Sequence, residues 1–407
     1  MEELPIPDTN AQQSSDELQA RLRARVQSAG GWLGFDQFMN SALYEPVLGY
    51  YSGGSRRFGP DGDFVTAPEL TPLFGHCVAQ AMLPWLQQTE SRVIEFGAGT
   101  GQLAAQVLNA LDRVDQAPAE YLIVELSAAL RAQQQHTLNL LAPELAGRVR
   151  WLDELPALLE GVVLANEVLD AMPVRLFELS DGAIMERGLV RGRGDAALAW
   201  QARRADESFE RAVRQTLARS QWGGDDHRDL NFNAWPDQYT SELGEQATAW
   251  VRTLGERLSR GVMLFIDYGF PAGEYFHPQR ATGTLACHYR HRVHHDPLWN
   301  PGLQDITAHV DFSAIAYAAE RVGLEVLGYT SQANFLLNTG LLEGLSHLSA
   351  EQTVEYARQA QAVQRLVSEA EMGELFKVIA LSRGVVEPGG AFGRGDRSAV
   401  LGVALRD

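Results

Sequence analysis

The stretch RVIEFGAGTGQLAAQVLNAL, residues 92–111, constrains the fold more than any other part of the chain. Its first five residues are a short apolar run. Three glycines at alternate positions, Gly97, Gly99 and Gly101, follow at once, and Leu103, Val107, Leu108 and Leu111 then recur at helical spacing. A strand, a glycine turn and a helix in so little chain open a β–α–β unit. Glycine there lets the backbone turn sharply and pass close to a ligand. Further apolar runs at YLIVEL (121–126), RVRWLD (148–153), GVVLANEV (161–168), GVMLFIDYG (261–269) and ELFKVIALSR (374–383) read as more strands. Continuous Val/Ile/Leu runs alternating with helical periods predict an α/β fold whose parallel sheet is covered on both faces.

In such a sheet, ligands bind where the strands end. Dinucleotide binders want G-x-G-x-x-G, which requires Gly or Ala at position 102, and this chain has Gln102. A G-x-G-x-G turn with an acidic residue two positions earlier, here Glu95, is the form that S-adenosylmethionine enzymes carry. That cofactor has no pyrophosphate for a helix N-terminus to cradle. The second strand ends in Glu125, 30 positions after Glu95, where a carboxylate accepts both ribose hydroxyls. Asp153, after the third strand, is placed to accept from the adenine amino group. Ala98 within the turn and Leu126 beside Glu125 are counted with the cofactor set. Any one of these carboxylates alone reads as an idle strand end; three at successive ends beside a glycine turn favour a methyl donor over a dinucleotide or a bland cluster.

Asn166-Glu167-Val168-Leu169-Asp170 follows the fourth strand, where methyl-transfer sites put substrate-facing groups. Transfer from a sulfonium is an in-line displacement, so the protein chiefly orients an acceptor lone pair. A carboxylate adds something specific if the acceptor is arginine, because it holds the planar guanidinium bidentately. Glu167 is the first candidate and Asp170 the second, with an N-cap or a core-edge ion pair equally open for Asp170. Six of the ten histidines fall between His277 and His309, a spacing that fits no zinc pattern. A polar loop is the simpler account, with His309 and Asp311 as its candidate substrate or cofactor contacts.

Acidic residues number 52 against 34 basic ones, a net charge of −18, which argues against a nucleic-acid coat or an anionic-membrane binder. It suits docking of a cationic peptide. Cys77 and Cys287 are too few for a disulfide framework, the acidic N-terminus lacks a secretory pattern, and no apolar run approaches a bilayer span. These features predict a cytoplasmic protein without membrane insertion. Residues 1–15 read as loose, 16–28 as helix, Thr71-Pro72 as the start of a helix stopping near Pro84, and 335–370 as helical. The organisation expected is an N-terminal extension and cofactor-covering segment (1–85), a cofactor-binding core (86–189), a charged helical insertion (190–250), the remainder of the sheet (251–384) and a tail (385–407).

Seven stretches then agree in order and spacing with one family: FMNSALYEPVLGYY, GDFVTAPELTPLFG, VIEFGAGTGQLA, LANEVLDAMPV, FIDYG, NPGLQDITAHVDF and MGELFKVIALSRG. From about Gly34 to Gly384 the chain resembles the MidA-type proteins, which include the mitochondrial complex I assembly methyltransferase and bacterial relatives. The resemblance implies a Rossmann-like, seven-strand class I methyltransferase sheet with an N-terminal helical and loop extension and a helical insertion. It implies S-adenosyl-L-methionine as cofactor. For the mitochondrial members it implies symmetric dimethylation of an arginine on a complex I subunit, so the expected partner is a protein bearing a methylatable arginine. Glu95, Gly97, Gly99 and Gly101 match the glycine motif, Glu125 the ribose carboxylate, and Asn166 and Glu167 the segment after strand four. Gly62, Asp63, Thr66, Pro68 and Glu69 match a segment implied to close over the cofactor. The rival readings are a non-catalytic assembly module that retains the pocket, and a nicotinamide oxidoreductase.

Overall fold

A computed structural model describes residues 4–53, 66–193, 197–220, 231–346, 353–386 and 390–403. Gly62 and Asp63 lie outside these. The chain divides into two compact units, each assembled from three stretches: Met1–Phe64, Leu169–Ala249 and Phe270–Ala314 in one, and Val65–Val168, Trp250–Gly269 and Ile315–Asp407 in the other.

The second unit holds the main sheet. Its strands are β1 (Arg92–Phe96), β2 (Glu120–Val124), β3 (Val149–Leu152), β4 (Leu159–Asn166), β5 (Leu258–Phe270), β6 (Glu325–Ser331) and β7 (Phe376–Arg383), in the spatial order β6-β7-β5-β4-β1-β2-β3. The steps β5–β4, β4–β1, β1–β2 and β2–β3 are parallel, and β7 runs antiparallel to both β5 and β6. Six of the seven are the strands the apolar runs predict. The exception, β6, has Gly328 at an irregular register beside β7, which breaks any clean apolar run.

The chain reverses its lateral direction around β1, which lies between β4 and β2. Its carboxyl end is therefore the topological switch point at which an open α/β sheet binds ligands. Helix α1 (Pro72–Leu86) starts as expected, with Thr71 Oγ1 accepting from the Leu73 amide at 3.1 Å and Pro72 in the first turn. It ends at Leu86, near Pro84 as expected, with Trp85 and Leu86 buried against the core. Helix α2 (Gln102–Asp112) buries Leu103, Val107, Leu108 and Leu111, and α3 (Ala128–Leu141) follows β2.

The first unit is built on antiparallel pairing. Strands Leu33–Gly34, Ala183–Arg191, Arg175–Ser180 and Tyr239–Leu243 are neighbours in that order, with Leu198–Arg204 on Ala183–Arg191. A second small sheet joins Ala286–Tyr289 to Arg292–His294 and Asp305–Thr307, so part of the histidine-rich stretch is strand. Two expectations are corrected in this unit. Residues 9–15 are not loose: a helix runs Thr9–Ser28, its first turn capped by Asp8 at 2.9 Å and its inner face formed by Leu18, Leu22 and Val26. The charged segment 190–250 contains not only a helix, Glu207–Arg219, but also strands. Its charges misled because they cover apolar partners, as Arg203 covers the ring of Trp32 at 3.4 Å.

Candidate functional site

Gly97, Gly99 and Gly101 all lie in the left-handed region, at φ +64°, +50° and +84°. Non-glycine residues rarely adopt this backbone, so the alternate glycines of the motif have a direct steric cause. Their side-chain positions differ. A Cβ on Gly97 would stand 2.5 Å from Val168 Cγ2, and one on Gly101 would meet the backbone of Gln134 at 3.0 Å. A Cβ on Gly99 would meet nothing within 4 Å. The turn is thus packed at both ends and open in the middle, which is what a backbone needs if a ligand is to approach it. Ala98, between the first two glycines, is buried.

Three carboxylates end three adjacent strands, in different surroundings. Glu95 on β1 is 2% exposed and accepts from the Tyr121 hydroxyl at 2.7 Å. Burial pushes its carboxyl up to about 7, against the opposing effect of that hydrogen bond. Glu125, just past β2, is half-buried, with Oε1 accepting from the Ser127 amide at 2.7 Å and Oε2 from Gln134 Nε2 at 3.4 Å. Gln134 Nε2 also donates to the Gly99 carbonyl at 3.1 Å, so one amide group bridges the glycine turn and Glu125. Leu126, beside it, is 79% exposed. Asp153, past β3, is exposed and pairs with Arg131 at 2.7 Å; the same guanidinium donates to the carbonyls of Glu125 and Leu152.

The segment 66–70 reaches the same turn. Glu69 Oε1 accepts from the Thr100 hydroxyl at 2.6 Å, and Gln106 Nε2 donates to the Pro68 carbonyl at 2.7 Å. Thr66 precedes the short helix Ala67–Leu70, whose first turn holds Pro68. After β4, Asn166 Nδ2 donates to Glu167 Oε1 at 3.1 Å, while the buried Asn166 Oδ1 has no partner among the described residues. Glu167 itself is at φ +53°, and its amide donates to the Ile266 carbonyl at 2.9 Å. Buried Asp267 accepts from the Val168 amide at 3.1 Å, fixing the next residue as well.

Asp170 and His309 belong to the other unit. Asp170 is buried, its carbonyl accepting from the Ala308 amide at 3.0 Å. The His309 amide donates to Thr284 Oγ1 at 3.0 Å and its ring lies 5.3 Å from that of Phe270. Asp311 accepts from the Ala314 amide at 3.1 Å as the helix Phe312–Glu320 begins, and burial pushes its carboxyl up to about 6. Glu95, Ala98, the three glycines, Glu125, Asn166, Glu167, Thr66, Pro68 and Glu69 therefore lie in one unit, as do Leu126 and Asp153. The sequence assigned no role to Gln134, Arg131, Thr100, Gln106 or Asp267. For Gln134 a signal existed: it and Leu138 are the buried pair of α3, an amide where the helical period calls for an apolar side chain.

These residues fit an adenosyl group: an open glycine turn for close backbone approach, a half-buried carboxylate beside it, and the exposed apolar Leu126. Among the described residues no group of three His, Cys, Asp or Glu side chains is arranged to hold a metal, and no helix is long and apolar enough to cross a membrane.

Residues 77–330 match the model of the family described as "Putative S-adenosyl-L-methionine-dependent methyltransferase". A curated relative from Drosophila melanogaster, named Protein arginine methyltransferase NDUFAF7 homolog, mitochondrial, is 30% identical over 94% of this chain and 89% of its own length. The Homo sapiens protein of that name is 26% identical over 89% of this chain and 83% of its own. Among solved structures, a Burkholderia thailandensis protein bound to S-adenosyl-homocysteine is 48% identical, with a TM-score of 0.91 over 98% of this chain and 100% of that one. The cytoplasmic location expected from composition is overturned by these matches, since the curated relatives are named mitochondrial. Acidity and scarce cysteine do not separate two reducing compartments.

Proposed function

The chain belongs to the S-adenosyl-L-methionine-dependent methyltransferases, with the NDUFAF7 proteins among its relatives, and from that premise we propose that it methylates arginine on a protein substrate. The acceptor in this reading is an arginine of a respiratory complex I subunit, carried to the symmetric dimethyl state, as the family resemblance implies. The names of the curated relatives support the arginine part of it.

When bound, S-adenosyl-L-methionine supplies an electrophilic methyl carbon and a neutral thioether leaving group. The protein's work is to hold and orient. Gly97, Ala98, Gly99 and Gly101 would let the backbone approach the donor, Glu125 would accept from the ribose hydroxyls, Leu126 would cover the adenine and Asp153 would accept from its amino group. Thr66, Pro68 and Glu69 would support the turn from the other side, through Thr100 and Gln106. Asn166 and Glu167 are the groups assigned to the acceptor. A clamping carboxylate draws positive charge from the attacking nitrogen and selects a cation from solvent, and the −18 net charge favours the same class of substrate.

The observation that carries this reading is the backbone of Glu167. A glutamate at φ +53° is costly, by about 1–3 kcal/mol, and persists only where its surroundings hold it there. Here the Ile266 carbonyl, the Asn166 amide and the neighbouring Asp267–Val168 bond do so. Strain kept at the end of β4 marks a side chain whose direction matters.

The test is Glu167→Gln, assayed by calorimetry with S-adenosylhomocysteine and by mass spectrometry of captured substrate for methylarginine. Cofactor affinity should persist while methyl transfer falls by about 100-fold, the scale of a misoriented reactant. Transfer at a near-normal rate would remove the guanidinium clamp from the proposal.

A further inference from the structure

Gln134 is fully buried on α3, yet its side chain makes three polar contacts. Nε2 donates to the Gly99 carbonyl at 3.1 Å and faces Glu125 Oε2 at 3.4 Å. Oε1 accepts from the indole N–H of Trp151, on β3, at 2.8 Å. The indole can only donate, so it dictates which end of the amide is oxygen and thereby turns both N–H groups toward the turn and the carboxylate. A buried amide satisfied in this way specifies one arrangement and penalises others. The Gly101 backbone sits against the same residue, since a Cβ at 101 would meet Gln134 Cα and O at 3.0 and 3.2 Å. The missing side chain at 101 thus lets the start of α2 pack closely on the α3 backbone at Gln134.

We propose that Gln134 is a positioning residue of the cofactor site, aiming the Glu125 carboxylate and locking it to the glycine turn, with Trp151 setting the orientation of the amide. The proposal rests on the reading of Glu125 as the ribose acceptor. Oε1 of Glu125 is already occupied by the Ser127 amide, so Gln134 controls the rotation left to the carboxylate. Its contribution is to preorganise an acceptor whose two oxygens would otherwise be free to turn.

The experiment is a double-mutant cycle read by calorimetric binding of S-adenosylhomocysteine to the full chain. Gln134→Leu should weaken binding by about tenfold or more, the scale of a lost hydrogen bond to a charged group. In a Glu125→Ala background the same change should cost nothing further, because there is no carboxylate left to aim. Gln134→Glu preserves shape and gives a readout that a packing role does not move. Two carboxylates in contact repel, so it should bind more weakly than Gln134→Leu when Glu125 is present, and no more weakly when Glu125 is replaced by alanine. An equal loss for Gln134→Leu with and without Glu125, or a loss in Gln134→Glu that does not depend on Glu125, would overturn the proposal alone. Unchanged affinity in Glu125→Ala itself would overturn the ribose reading and this proposal with it.

Discussion

The ends of β1 and β2 are neighbours in one sheet, and each carries a glutamate. Their environments are opposite. Glu95 is turned into the core, where burial raises its carboxyl to about 7 against the hydrogen bond from the Tyr121 hydroxyl. Glu125 stands half-buried, with a backbone amide and a side-chain amide on its two oxygens. The difference follows from position along the strand. Glu95 falls at a buried position within β1, whereas Glu125 lies one residue past β2, where the chain has left the sheet. A carboxylate inside a strand stays in the core; one beyond the strand end can meet a ligand. Identical residue type conceals this, and the contrast can be pressed at several points.

The largest effect is expected at the turn between them. Gly99→Val places a branched side chain in the space where a Cβ has no neighbour within 4 Å, so the folded protein should lose only the roughly 1–2 kcal/mol of the left-handed backbone. Binding of S-adenosylhomocysteine should nonetheless fall more than about 100-fold, because that space is the approach to the turn. Gly97→Val has the same backbone strain and also drives a Cβ to 2.5 Å from Val168, so its melting temperature should drop further than that of Gly99→Val. The reverse order in thermal denaturation would mean that the middle glycine is the packed one.

Next in size is the pH response of Glu95. Its folded value near 7 exceeds the ordinary 4.5, so between those limits the folded protein keeps a proton that the unfolded chain releases. Stability therefore falls as pH rises through this window, by roughly 3 kcal/mol in all, and the loss is complete once the folded group ionises. Glu95→Gln removes the titration. Urea unfolding at about pH 5 and about pH 8 should show a stability gap between variant and parent that shifts in favour of the variant at the higher pH. A gap independent of pH would mean that the core solvates this carboxylate after all.

Much of the second unit was legible because its physics is local. Parallel strands buried on both faces must be continuous apolar runs, and three left-handed positions in five residues admit little besides glycine. The first unit was not legible for the opposite reason. Its strands mix charged residues with apolar ones, such as Glu186, Arg187 and Arg191 in Ala183–Arg191 and Arg203 and Arg204 in Leu198–Arg204, so no continuous apolar run marks them. Within the site, the carboxylates were visible as letters but their depths were not. Gln134 showed only as an amide on the apolar face of its helix; its partner Gly99, 35 positions away, did not show at all. The strained backbone of Glu167 was equally hidden, since positive φ in a non-glycine residue is set by tertiary contacts and leaves no mark in composition.

The third strand-end carboxylate supplies the smallest expected effect and the finest discrimination. Asp153 pairs with Arg131 through a side chain that is 82% exposed, the setting in which an ion pair contributes little. If adenine recognition is shared between Leu126 and this carboxylate, Asp153→Ala should lower S-adenosylhomocysteine affinity by no more than about fivefold and leave unfolding unchanged. Arg131→Ala should cost more, because that guanidinium also donates to the Glu125 carbonyl at 2.6 Å and the Leu152 carbonyl at 3.0 Å, joining the ends of β2 and β3. The order of the two losses is the decisive quantity. A larger loss at Arg131 means that the geometry of the strand ends sets the affinity, with Asp153 as an accessory. A larger loss at Asp153 means that the carboxylate meets the base directly, and the contrast between buried and open carboxylates then extends to all three strands.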